Sequence, residues 1–154
     1  MSTNRWIEPM REALALANLA SSSSSDVPVG AVLVDPDGTV VAVGKNEREL
    51  SGDPTAHAEI VAIRAAAALN SNWHLNDLTL VVTLEPCAMC AGAIQASRMG
   101  RVVFGAWDER VGAAGSRYDL LRDARLGSAI EVISGVLETE CAEVLKQFFS
   151  GRRG

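Results

Sequence analysis

Apolar positions along the chain change period several times, and each change predicts an element. Between Thr3 and Ala20 the residues Trp6, Met10, Leu14 and Ala17 recur at spacings of four and three, which predicts an amphipathic helix with one buried stripe. From Val27 to Val34 the run is mostly apolar and rich in valine, as in a strand covered on both faces. Asp35-Pro36-Asp37-Gly38 is a turn signal, and Thr39 to Val43 is again β-branched, so the two runs predict a β-hairpin. The polar stretch Gly44 to Gly52 predicts a loop. Thr55 to Leu69, alanine-rich with Ile60, Val61 and Ile63, predicts a helix; Asp53 or Thr55 can cap it, and Pro54 suits a first turn. A strand over Leu78–Leu84, a helix of small residues over Cys87–Ser97 and a short strand over Arg101–Phe104 follow. Asp108 to Arg125 is long, mixed and partly basic. Ala129–Ser134 predicts a last strand and Glu138–Phe149 a closing helix. The five serines Ser21–Ser25, ahead of Asp26-Val27-Pro28, predict a flexible loop.

Strand, helix, strand, helix and strand alternate from Val40 to Phe104, which implies parallel strands joined by crossovers. The opening hairpin is antiparallel. The fold class expected is therefore α/β: a mixed sheet with helices on both faces. A chain of 154 residues suffices for one domain spanning 1–154 with its own core.

Composition narrows the setting. No apolar run approaches the roughly 20 residues that cross a bilayer, and Met1 to Arg11 is polar and charged, unlike a secretory signal, so no membrane and a cytoplasmic location are expected. Three cysteines, two of them three apart, suit a reducing compartment with a metal or redox site better than a disulfide framework. A net charge of −5 argues against a general nucleic-acid binder, although a local patch can outweigh the total. Such a patch is offered by Gln95–Arg125, with six arginines against four acids, and by Arg152 and Arg153.

Two short motifs carry the chemistry: Thr55-Ala56-His57-Ala58-Glu59 and Glu85-Pro86-Cys87-Ala88-Met89-Cys90, each at a predicted helix start. Zinc prefers nitrogen and sulfur donors in a tetrahedron. Cys87 and Cys90 share a helix face, and a helix N-terminus favours the thiolate that binds metal. His57 supplies a third ligand, which leaves one position for a water that the metal acidifies. Glu59 is the expected proton carrier. Residues two apart on a helix point nearly opposite ways, so His57 and Glu59 can serve one water only if His57 sits at the helix end. A lone Cys-x-x-Cys is often a redox pair and a lone His-x-Glu is usually a solvated helix end. Joined across the 26 residues between Glu59 and Pro86, they form a specific signature of zinc-dependent hydrolytic deaminases. Cys141 reads as a small core residue, His74 as a surface loop residue and Trp73 as a packing residue. Either Cys141 or His74 would be needed as a fourth ligand if the metal were structural only. A thiol oxidoreductase would leave His57 and Glu59 without a role.

Within that superfamily the chain resembles the bacterial tRNA-specific adenosine deaminases. The matching stretches are DVPVGAVLV (26–34), DPTAHAEI (53–60), TLEPCAMCAGA (83–93), RVVFGAWD (101–108), GAAGS (112–116) and ECAEVLKQFF (140–149). The resemblance implies a cytidine deaminase-like, three-layer α/β/α fold with a central five-stranded mixed sheet, and one Zn2+ per subunit held by His57, Cys87 and Cys90. It implies deamination of adenosine to inosine at the wobble position of a tRNA anticodon stem-loop, by zinc-activated water with Glu59 as proton shuttle, in a homodimer. It also implies substrate contacts from Asn46, the backbone N–H of Ala58, Pro28, Val29 and Asp108. Trp107 stands where such relatives suggest a basic residue, and Arg48 and Glu49 stand in a loop where they often carry a proline. A deaminase of a free base or nucleotide (guanine, cytosine or dCMP) is the alternative that the zinc motif alone leaves open.

Overall fold

The structure, a computed structural model, describes residues 3–127 and 129–151; Arg152 and Arg153 lie outside the described residues. A single 3-10 turn, Thr3–Trp6, leads into helix α1 (Ile7–Ser24). Strands β1 (Gly30–Val34) and β2 (Val40–Lys45) form the expected hairpin, and a short helix α2 (Arg48–Ser51) follows. Then come α3 (Ala58–Asn70), β3 (Thr79–Leu84), α4 (Ala88–Ala96), β4 (Arg101–Ala106), β5 (Glu131–Ile133) and α5 (Glu138–Gly151).

The five strands form one mixed sheet in the order β2-β1-β3-β4-β5. Strand β1 runs antiparallel to both of its neighbours, and β3, β4 and β5 are parallel. Strands β2, β3 and β4 therefore run the same way, as the alternation of elements implies. Strands β2 and β3 do not pair, because β1 lies between them.

The period-2 rule of a strand divides the core into two layers. Ala31, Leu33, Leu80, Val82, Val102 and Phe104 point to one face and pack with Ala58, Ala62 and Ala66 of α3 and Ala91 and Ile94 of α4. Val32, Val34, Val81 and Val103 point to the other, against Trp6, Met10 and Ala13 from the chain start and Cys141 of α5. That is the three-layer arrangement expected. Close helix–sheet approach depends on glycine at two points. A Cβ at Gly44 of β2 would come within 2.3 Å of the Ala58 carbonyl oxygen, and one at Gly30 of β1 within 1.9 Å of the Ala13 carbonyl oxygen. The first contact is what seats the beginning of α3 on the sheet.

Two expectations are corrected. The serine run is not a flexible loop: Ser21–Ser24 continue α1, and Ser25 closes it in the left-handed conformation at φ 63°. The hydroxyls of Ser21 and Ser23 donate back to the carbonyls of Asn18 and Leu19, which supplies locally what solvent would otherwise supply. The stretch Gly44–Gly52 is not all loop either, since β2 reaches Lys45 and α2 occupies Arg48–Ser51. Four residues do not hold a helix alone. The tie is Asp26, a buried residue whose carboxylate accepts from the N–H groups of Glu49 (2.8 Å) and Leu50 (3.2 Å) and from the Ser24 hydroxyl (2.6 Å).

Burial alone would raise the Asp26 pKa, but these donors outweigh it and hold the carboxyl below its ordinary value of 3.8. A folded-state pKa below the unfolded one stabilises the protein above the unfolded value, and that contribution fades as pH falls through the folded value. Asp26→Asn is therefore expected to lose about 1–2 kcal/mol at neutral pH, the excess of charged over neutral hydrogen bonds. Urea unfolding across a pH series checks this: the gap should close below the carboxylate range, and a gap independent of pH would contradict it.

Candidate active site

Both chemical motifs fall at helix N-caps. His57 is the N-cap of α3, extended at φ −71° and ψ 155°, and Cys87 is the N-cap of α4 at φ −79° and ψ 179°. The helix at the first motif begins at Ala58, three residues later than the sequence suggests. Asp53 is not its cap; it closes the preceding turn, with its carboxylate accepting from the Thr55 N–H and hydroxyl. Placing His57 outside the first turn meets the geometric condition, because the Cα–Cβ direction of an N-cap is not tied to the helical period. Glu59, one residue into α3, can then face the same space.

The three donors converge. His57 Nδ1 lies 3.6 Å from Cys87 Sγ and 3.5 Å from Cys90 Sγ, and all three ligand atoms lie within 4.8 Å of one another. Tetrahedral zinc with ordinary Zn–N and Zn–S bonds sets its nitrogen and sulfur ligands about 3.5 Å apart, so the donor spacing fits zinc directly. Two thiols and an imidazole are also the donor chemistry zinc selects. Among the described residues this is the one group of three or more metal-binding side chains drawn together. Cys141 is buried on the opposite face of the sheet and His74 stacks on Trp73 (ring centroids 3.6 Å apart), so neither supplies a fourth ligand.

Electrostatics at the site are uneven. Cys87 is held down to about 4, chiefly by the hydrogen bond from Cys90 and then by His57, while Cys90 is pushed up because the pair shares one proton. His57 is raised, chiefly through its hydrogen bond with Cys87. Glu59 is 4% exposed, and its burial pushes it up to about 7.

A depression of about 150 Å³ opens over these groups, lined by His57, Glu59 and Cys87 together with Val27, Val29, Asn46, Leu84 and Asp108. Val29, Asn46 and Asp108 are thus brought to the site. Pro28 is buried and is not among the lining residues; Val27 holds the place expected of it. Ala58 is buried, and its N–H is engaged by the Asn46 side-chain oxygen at 2.8 Å. The Asn46 amide nitrogen donates in turn to the Val27 carbonyl at 3.0 Å, so Asn46 joins the start of α3 to the pocket wall.

Glu85 is the site residue that sequence reasoning missed. Its buried carboxylate accepts from the N–H groups of Asp108 (2.9 Å), Ala114 (3.0 Å) and Ser116 (3.0 Å), and from the Ser116 hydroxyl. It thereby fixes the loop 108–116, which carries Asp108 to the rim, onto the residues just ahead of Cys87. The only hint in the sequence is an acid directly before Pro86. The arginines of Gln95–Arg125 do not form a basic face as a group: Arg101, Arg122 and Arg125 pair with Glu131, Asp119 and Asp123.

A family model for the cytidine and deoxycytidylate deaminase zinc-binding region matches residues 4–106. Over 144 residues the chain is 49% identical to the tRNA-specific adenosine deaminase of Haemophilus influenzae, covering 94% of this chain and 83% of that protein. Against the tRNA-specific adenosine deaminase of Bacillus subtilis it is 45% identical over 140 residues, covering 91% and 86%. A solved structure from studies of A-to-I editing by tRNA deaminases at the wobble position of transfer RNA superposes with a TM-score of 0.85 at 41% identity, over 90% of this chain and 99% of that one.

Proposed function

The chain belongs to the cytidine and deoxycytidylate deaminase zinc-binding family, and from that premise we propose that it converts adenosine to inosine at the wobble position of a tRNA anticodon. The carrying observation is the convergence of His57, Cys87 and Cys90 beside a buried Glu59 at the floor of a small pocket. The substrate reading is supported by nearly full-length identity to tRNA-specific adenosine deaminases.

His57, Cys87 and Cys90 would hold Zn2+, which when bound would supply a Lewis acid able to bring the pKa of water to roughly 7. Glu59 takes a proton from the attacking water as its oxygen adds to C6 of the base, and gives that proton to N1. It takes the second water proton and passes it to the departing amino group. One water is consumed, one ammonia leaves and inosine remains. Burial raises the Glu59 carboxyl above its ordinary range, which favours a group that can return a proton as well as accept one. The target base is flipped out of its stack to reach this depth. Val27, Val29 and Leu84 offer it apolar walls, and the second N–H of the Asn46 amide offers it a donor. One oxygen of Asp108 accepts from the N–H groups of Arg110 and Val111, which leaves the other for a ribose hydroxyl. The N–H of Ala58 donates to the Asn46 side-chain oxygen, which orients that amide at the pocket wall.

The enzyme is proposed to act as a homodimer in the cytoplasm. Three free cysteines suit a reducing compartment. No described helix is long and apolar enough to cross a membrane.

Depleting the protein from the cells that make it should remove wobble inosine from total tRNA, read by sequencing. Re-expression of the unmutated chain should restore it, and Glu59→Ala should not. Persistence of the inosine after depletion would refute the reading.

A further inference from the structure

A buried carboxylate needs donors, and the four hydrogen bonds that Glu85 accepts all come from the loop 108–116. They divide by oxygen. Oε1 takes the Asp108 N–H at 2.9 Å and the Ser116 hydroxyl, whereas Oε2 takes the N–H groups of Ala114 and Ser116, each at 3.0 Å. The two ends of the loop are not held alike. The far end has further ties to the chain ahead of α4: the Ala113 N–H donates to the Pro86 carbonyl at 2.7 Å, and Gly112 bridges Cys87. At the near end the Asp108 N–H has Glu85 as its acceptor, and the Asp108 carbonyl accepts from the Gly112 N–H (2.8 Å) within the same loop. We infer that Glu85 is a positioning residue for the reaction: its Oε1 holds Asp108 at the rim of the zinc pocket, where the Asp108 carboxylate meets the substrate ribose. The inference rests on the tRNA reading above and deepens it.

Glu85 is itself placed by the sheet. β3 ends at Leu84, the Glu85 N–H donates to the Ala106 carbonyl at the end of β4 (2.9 Å), and α4 begins at Ala88. The carboxylate thus stands on a rigid platform beside the metal ligand Cys87, and Asp108 is fixed to the same platform. The Asp108 side chain is oriented from there, because its Oδ1 accepts from the N–H groups of Arg110 (3.1 Å) and Val111 (3.3 Å). Glutamate is required at this position by the count of acceptors. A carboxylate offers two acceptor atoms, whereas glutamine replaces one of them with an NH2 donor. With that nitrogen in place of Oε2, the N–H groups of Ala114 and Ser116 would both face a donor. With it in place of Oε1, the Ser116 hydroxyl turns to accept from it, and the Asp108 N–H alone loses its partner. The second arrangement strands one donor instead of two, so Glu85→Gln releases Asp108 and keeps the far end of the loop.

The test is single-turnover deamination of an anticodon stem-loop with adenosine at the wobble position, followed across RNA concentration with zinc-loaded chains. Glu85→Gln should keep its zinc, hold its maximal rate within about twofold and raise the half-saturating RNA concentration about fivefold, part of what a hydrogen bond to a charged group contributes. Asp108→Ala, which removes that bond outright, should raise it about tenfold. Asp108→Ala keeps the backbone N–H, so the two changes break one path at different ends. Adding Glu85→Gln to Asp108→Ala should therefore cost less than about twofold more. Peptide-resolved hydrogen exchange of Glu85→Gln should quicken over residues 107–111 and stay as it was over 112–116. Failure of Glu85→Gln to fold or to hold zinc, or a fall in its maximal rate with half-saturation unmoved, would make Glu85 a scaffold residue and overturn the inference. So would unchanged exchange over 107–111, an Asp108→Ala chain that saturates like the unmutated one, or an undiminished Glu85→Gln loss in the Asp108→Ala background. Each of these leaves the tRNA reading standing, because the unmutated chain still makes inosine. Absence of inosine with the unmutated chain would overturn both.

Discussion

Glu59→Ala is expected to keep its zinc and lose deamination by about 10³-fold or more. Removing a positioned proton carrier typically costs 10²–10⁴-fold, and here one carboxyl serves every proton transfer, so the upper part of that range applies. Metal retention follows from the donor geometry: the three ligand atoms are His57 Nδ1 and the Sγ atoms of Cys87 and Cys90, and Glu59 is not among them. Glu59→Gln separates charge from shape. It keeps the buried side chain's volume but cannot shuttle a proton, so its activity should be as low as that of Glu59→Ala. Metal analysis and single-turnover rates on the same preparations check both halves. Loss of zinc in Glu59→Ala, with no deamination by the unmutated protein, would instead mark the metal as structural.

Removal of the metal itself should have the other large effect. Cys90→Ala, or prolonged chelation of the unmutated chain, is expected to abolish activity, and zinc should restore the chelated chain but not the mutant. The thermal unfolding midpoint should fall in both. His57 and Cys87 stand outside the first turns of α3 and α4, and their side chains make no capping hydrogen bond, so bound zinc would strengthen the link between the two helix starts that the His57–Cys87 and His57–Cys90 contacts make without it. Thiol chemistry without metal predicts the reverse, with activity surviving chelation. Differential scanning of apo and zinc-reloaded protein, paired with inosine formation, separates these outcomes.

How much of this was legible in the sequence depends on whether the partners of a residue are side chains or backbone. The metal ligands were legible because zinc's donor preference restricts residue type and the helix start restricts spacing. The two core layers were legible because β1, β3 and β4 are bounded by strong turn or cap signals and helices cover both faces. The order of the sheet was not, since nothing in the hydrophobic pattern says that β1 inserts between β2 and β3. Glu85 was invisible because its partners are backbone N–H groups 23 to 31 residues away. Helix α2 was hidden for the same reason, as Asp26 supplies its missing bonds from 23 and 24 residues earlier. The serine run misled because serine's weak helix preference reflects competition for backbone groups, and in α1 that competition is met by bonds back into the helix itself. Asn46 was legible as a pocket residue, but its hold on the Ala58 N–H was not.

The most direct test offers purified, zinc-loaded protein an anticodon stem-loop whose wobble nucleotide is adenosine, and separately free guanine, cytosine and dCMP. Inosine at the wobble position, with no turnover of the free compounds, is the predicted result. Turnover of a free base or nucleotide with the RNA left unchanged would contradict it.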